Sequence, residues 1–302
     1  MKTSTALRAA ALAVSFLSGL SLYAAQPSFH GAPVDGEPQI YKRIGELELP
    51  LYIVRPRDWR ASDRRPAIVF FHGGGWVGGT PAQFNDQGRR FAALGFVCFH
   101  VRYRLLKPRT TEPPRVCIAD ARSALRWVRA HAAELAVDPH RIAAAGGSAG
   151  GHLAAHAGLV SAGDDPADDR AVSARPDALV LFNPVLDNSP GNYGAERVGE
   201  NLAELSPAQN VSAAAPPTIV FLGTKDKLIP IATMERFRDR MQAAGVRCEL
   251  RLYAGQEHGF FNASKVGGKY FELTQRAAEE FLASLGWLDA RPSSATSVPT
   301  PR

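Results

Sequence analysis

The pentapeptide Gly146-Gly147-Ser148-Ala149-Gly150 stands between an apolar run, Arg141-Ile142-Ala143-Ala144-Ala145, and an alanine-rich stretch of helical character. A serine flanked by glycines at a strand-to-helix junction marks a sharp, strained turn, since its neighbours carry no Cβ to crowd the backbone. Such a turn leaves the serine hydroxyl exposed as a potential nucleophile. The pattern therefore commits the segment before it to a core strand and the segment after it to a helix. Strands and helices alternate along much of the remaining chain, which points to a mostly parallel sheet covered on both faces.

An exposed serine becomes reactive only with a base, a group that orients the base, and donors for a developing oxyanion. Upstream, Pro66 to Phe71 reads as a buried strand that runs into His72-Gly73-Gly74-Gly75-Trp76. Three glycines let the backbone turn amides toward a ligand, so Gly74 and Gly75, with Ala149 after the serine, are the expected oxyanion hole. Alone, the glycines would serve equally well as a tight turn; the pairing with Ser148 favours the oxyanion role. Downstream, Pro217 to Gly223 reads as a core strand followed by Thr224-Lys225-Asp226, and Cys248 to Tyr253 leads into Gln256-Glu257-His258-Gly259. Carboxyl ends of parallel strands are where ligands bind. Asp226 is the expected orienting acid, His258 the expected base.

The chain has eight histidines, and the others fit the role less well. His152 and His156 follow Ser148 by one and two turns of the same helix and point into its packing face. His72 belongs to the glycine loop and braces it. His30, His100, His131 and His140 precede the serine without an acidic partner at a strand end. Glu257 is too near His258 in sequence to orient its ring, whereas Asp187, after the strand Ala178 to Phe182, is the serious rival to Asp226.

Together, His72-Gly73-Gly74-Gly75-Trp76, Tyr103-Arg104-Leu105, Gly146 to His152 and the late aspartate and histidine resemble the α/β-hydrolase esterases over roughly residues 40 to 286. The resemblance is to the bacterial feruloyl and acetylxylan esterase-like branch, a neighbour of the hormone-sensitive lipase group. It implies an α/β-hydrolase fold, ester hydrolysis through an acyl-enzyme, and no metal or organic cofactor. Two departures separate this chain from the hormone-sensitive group: Gly147 stands where that group usually has Asp, and Leu106-Lys107-Pro108 replaces its Ala-Pro-Glu. The segment from Gln26 to Arg65 is also too short for that group's helical cap, so no large cap domain and a fairly open site are expected. A prolyl oligopeptidase-like peptidase and a non-catalytic carbohydrate-binding protein on the same fold are the alternatives.

A chain of 302 residues with 45% hydrophobic content is long enough to bury a full core in one domain, here placed over residues 26–287. Residues 1–25, with Lys2 and Arg8 before an apolar stretch, have the pattern of a secretory signal peptide, which implies a secreted or periplasmic protein and no membrane span after its removal. Residues 288–302, rich in Pro, Ser and Thr, are expected to be a disordered tail. Cys98, Cys117 and Cys248 make an odd count without zinc-type spacing, and Cys98 and Cys248 lie in strands as buried small hydrophobes. The net charge of +6 is spread along the chain with no recognition motif, so nucleic acid is not an expected partner. An ester substrate, including an acylated polysaccharide, is.

Three further readings bear on the site. Ile40 to Val54 forms an antiparallel edge hairpin around Gly45, and a helix spans about Val116 to Ala133, where Asp120 makes a structural hydrogen bond. The long segment from Pro184 to Pro216 should lie over the nucleophile. In and beside it, Asn183, Asn188, Asn192 and Tyr193 either contact a substrate or, for the asparagines, merely satisfy turns. Trp76 either shapes an acyl pocket or packs over the glycine loop.

Overall fold

The computed structural model describes residues 32–288. The expected leader lies outside that range, as does the expected tail apart from Leu288, which packs against the core. One eight-stranded sheet dominates: β1 (Glu37–Ile44), β2 (Leu47–Val54), β3 (Arg65–Phe71), β4 (Val97–Val101), β5 (Val137–Gly147), β6 (Ala178–Phe182), β7 (Thr218–Gly223) and β8 (Cys248–Tyr253). Their spatial order is β1-β2-β4-β3-β5-β6-β7-β8, and β2 alone runs against the rest. The edge hairpin forms as expected, turning at Gly45.

Strands buried on both sides read as continuous apolar runs, and successive side chains serve opposite faces. In β3, Ala67, Val69 and Phe71 enter one core, while Ile68 and Phe70 enter the other. The first core is covered by α2 (Arg115–Ala130), α3 (Ala149–Leu159) and α6 (Ile231–Ala243); the second by α1 (Asn85–Ala92) and α7 (Lys269–Ser284). Helix α1 escapes a reading of its sequence, NDQGRRFA, because it is polar and has a mid-helix glycine. Buried Phe84 and Phe91 hold it to the sheet. Helix α2 ends three residues short of the expected Ala133, where a turn carries the chain to Ala136 in a left-handed conformation, φ 55°. The long segment before β7 is more regular than expected, with two single-turn helices, α4 (Ala195–Val198) and α5 (Leu202–Leu205).

Cys98, Cys117 and Cys248 are all buried and unbridged. Burial pushes the Cys117 and Cys248 thiols up to about 12, so neither is a thiolate nucleophile near neutral pH. Asp120 is fully buried on α2 and structural, as expected. It accepts paired bonds from the Arg104 guanidinium, both at 2.7 Å, another from the Arg104 amide, and an ion pair from Lys42 of β1 at 2.9 Å.

Candidate active site

Strand β5 delivers Ser148 to the carboxyl edge of the sheet at φ 54° and ψ −119°, a conformation that non-glycine residues seldom adopt. Backbone bonds hold it there: its amide donates to Phe182 O at 3.0 Å, and its carbonyl accepts from His152 N at 3.0 Å and Val185 N at 3.2 Å. Helix α3 starts at once and presses against β3. A Cβ at Gly150 would stand 1.9 Å from Phe71 O, so this contact is open to glycine alone. The elbow and the glycine loop after β3 are thus joined backbone to backbone.

In that loop, Gly74 sits at φ 119°, where an added Cβ would lie 2.2 Å from Gly78 O, and its carbonyl accepts from Val77 N and Gly78 N. The Gly73 amide is taken by Gln83 Oε1 at 2.7 Å. Among the described residues, nothing accepts from the amides of Gly74, Gly75 or Ala149, the expected oxyanion donors. His72 braces the loop: its ring donates from Nδ1 to Gly73 O at 2.8 Å and stacks on Tyr103, whose hydroxyl donates to His72 O at 2.6 Å. Burial pushes His72 down to about 4, so the brace is a neutral ring.

The loops after β7 and β8 bring Asp226 and His258 together. Asp226 Oδ2 accepts from His258 Nδ1 at 2.8 Å, while Oδ1 accepts from the amides of Leu228 at 2.9 Å and Ile229 at 3.0 Å. The Asp226 side chain is fully buried and that of His258 is 23% exposed. With Nδ1 donating to the carboxylate, Nε2 carries the ring lone pair that can take a proton, with Asn183 Nδ2 3.4 Å away. The rival Asp187 is turned elsewhere, toward Arg236 at 3.7 Å and the Ser189 amide at 2.9 Å. Ser148 is partly exposed, and its Oγ makes no hydrogen bond among the described residues. In unliganded hydrolases the serine–histidine contact is often long and tightens only with substrate bound.

Two of the three expected substrate contacts are buried. Trp76 is fully buried and packs under the site, edge-on to His152 with ring centroids 5.1 Å apart, so it supports the loop and offers no surface to a ligand. Asn183 is 1% exposed, and its amide is spent on the histidine loop. Tyr193 remains partly exposed beside the glycine loop: a Cβ at Gly75 would lie 2.7 Å from its hydroxyl. Asn188 and Asn192 satisfy local groups, donating to Tyr193 O and Ser189 Oγ. His152 and His156 lie fully buried on α3 and donate to Leu205 O at 2.8 Å and Glu204 O at 3.0 Å, which ties α5 to the helix that follows Ser148. Gln83 was legible only in hindsight, as a polar residue shortly after the glycine loop.

The strand order, the elbow and the site at the carboxyl edge of the sheet define an α/β-hydrolase. Residues 52–189 match the BD-FAE family and residues 171–281 the prolyl oligopeptidase family. Carboxylesterase NlhH of Mycobacterium tuberculosis is 30% identical over 77% of this chain and 77% of its own length. The probable carboxylic ester hydrolase LipM of the same organism is 30% identical over 81% of this chain; the match spans 59% of LipM. Among solved structures, esterase 2 of Thermogutta terrifontis superposes with a TM-score of 0.80 at 44% identity, covering 85% of this chain and 97% of that one. The chain belongs to the α/β-hydrolase esterase family.

Proposed function

We propose that the protein is a serine carboxylesterase in which Ser148, His258 and Asp226 form the catalytic triad. The observation that carries this reading is the 2.8 Å bond from a partly exposed His258 to a fully buried Asp226, at the sheet edge that also holds the strained Ser148. His258 Nε2 takes the Ser148 proton as Oγ attacks the ester carbonyl, and Asp226 fixes the tautomer and stabilises the imidazolium. The oxyanion is met by the free amides of Gly74, Gly75 and Ala149. The C–O bond then breaks, the alcohol leaves with the proton from His258, and an acyl-Ser148 remains. Water activated by the same ring attacks the acyl carbon and releases the acid and the serine.

The acyl group is acetyl or feruloyl on a plant polysaccharide, or the acyl part of a small soluble ester. Tyr193 lines its side of the site. The lack of a large cap among the described residues supports a bulky alcohol side, and Thermogutta terrifontis esterase 2, solved with propionate bound, supports a short acyl side. The leader pattern of residues 1–25 supports export to the periplasm or medium, where such polymers are met.

Acid release from acetylated xylan, methyl ferulate and a 4-nitrophenyl ester series, compared with Ser148→Ala, tests the reading. Serine-dependent acetate or ferulate release is expected; wild-type turnover by Ser148→Ala would remove the nucleophile. The prolyl oligopeptidase match over residues 171–281 supports a second reading as a serine peptidase. Release of dipeptides with esters untouched would favour it.

A further inference from the structure

His258 lies on a loop with no strand of its own, yet its ring must meet Ser148 to within a fraction of an ångström for proton transfer. Asp226 fixes one ring nitrogen but leaves the ring free to tilt about that bond. The next residue, Gly259, is held at both of its polar groups. Its amide donates to Asn183 Oδ1 at 2.9 Å, and its carbonyl accepts from Asn262 Nδ2 at 2.7 Å.

Both asparagines are anchored to the rest of the site. Asn183 directly follows Phe182, whose carbonyl holds the Ser148 amide, and its own amide donates to Phe221 O at 2.7 Å. It takes a left-handed backbone, φ 35°, and is 1% exposed. With Oδ1 committed to Gly259, its Nδ2 is turned to His258 Nε2 at 3.4 Å. Asn262 Oδ1 accepts from Gln83 Nε2 at 3.2 Å, and Gln83 Oε1 accepts from the Gly73 amide at 2.7 Å. A chain of side-chain amides therefore runs from the oxyanion loop through Gln83 and Asn262 to Gly259, and through Asn183 to the strand end beside the nucleophile.

We propose that Asn183 and Asn262 are positioning residues that clamp the Gly259 peptide and so hold the His258 ring in register with Ser148. Asn262 touches no reacting atom and acts through the loop; Asn183 acts through the Gly259 peptide and also stands with Nδ2 3.4 Å from His258 Nε2. The left-handed strain of Asn183 is consistent with this, since such strain persists where the side chain is needed at one place. The inference rests on the serine esterase reading above, and its test is built to fail separately from it.

Two variants of the full chain separate side chain from backbone. Asn183→Gly keeps the left-handed backbone and deletes the clamp; Asn183→Asp keeps an acceptor for the Gly259 amide and also tolerates that backbone. Both are assayed on 4-nitrophenyl acetate at one fixed pH, beside wild type and Ser148→Ala. In Asn183→Gly, kcat should fall about 10- to 100-fold while KM stays within about twofold, the mark of lost alignment rather than lost binding. Asn183→Asp should recover to within about fivefold of wild type.

Amide hydrogen exchange at Gly259 provides a readout independent of turnover. It should quicken at least about tenfold in Asn183→Gly and return toward wild type in Asn183→Asp. Wild-type kcat in Asn183→Gly, an Asn183→Asp variant as slow as Asn183→Gly, or unchanged Gly259 exchange would each overturn the clamp. Turnover that survives Ser148→Ala would instead overturn the esterase reading, and the exchange result alone would then decide the clamp.

Discussion

At the scale of single residues, the site depends on atoms that leave no room. Gly150→Ala would drive a methyl into the Phe71 carbonyl, at 1.9 Å, and neither backbone can yield without moving the elbow. The expected cost is about 3 kcal/mol or more, near the top of what overpacking exacts, and urea denaturation would measure it. Tyr103→Phe is a milder change. It removes the bond to His72 O and keeps the stacked ring, so a loss of about 1 kcal/mol is expected by the same method. Ser148, Asp226 and His258 are legible in the sequence because each falls at a strand end with a distinctive neighbour. Asn183 and Trp76 are not, since sequence places both near the site without saying which way they face. Asn183 turns inward because the Gly259 amide needs an acceptor, and Trp76 because its ring fills the space above His152.

At the scale of elements, one carboxylate joins three parts of the chain. Asp120 of α2 holds Lys42 of β1 and the Arg104 segment after β4, and Lys42 also reaches Asp165 at 2.6 Å. Removing one member of a buried pair strands the others, so Asp120→Ala should lose about 3 to 5 kcal/mol, seen as a lower Tm and urea midpoint. Asp120→Asn, which retains acceptor capacity but not charge, should lose less. The central strands β3, β4, β6 and β7 are readable as apolar runs. Helix α1 was hidden because its hold on the sheet comes from two phenylalanines, one of them just before its first turn. The single-turn helices α4 and α5 were hidden too, since tertiary bonds from His152 and His156 stabilise α5 where local propensity would not.

At the scale of the whole molecule, buried histidines set a pH limit. Burial pushes His72, His100 and His152 down to about 4 and His156 to about 3, from an ordinary 6.5. The folded protein keeps these rings neutral, while the unfolded chain binds protons to them below pH 6.5. Their contribution to stability is therefore complete above about pH 6.5 and drains away as the pH falls toward 4. Tm should decline through that window, and replacing His156 by Gln should flatten the decline. Asp164, held down to about 2 by hydrogen bonds and charge from Arg126 and Arg122, adds a separate loss only below the ordinary carboxylate range, near 3.8.

The contact between Gly150 and the end of β3 has a further meaning for how such a protein can change. The amides of the glycine loop and the amide of Ala149 come from stretches some seventy residues apart in sequence, yet no side chain stands between the two backbones. Their gap is a fixed gauge, set by peptide against peptide, and substitution cannot widen or narrow it by degrees. Variation that reshapes this site has to work on the walls around that gauge, in the insertion between β6 and β7, and leave the gauge itself alone.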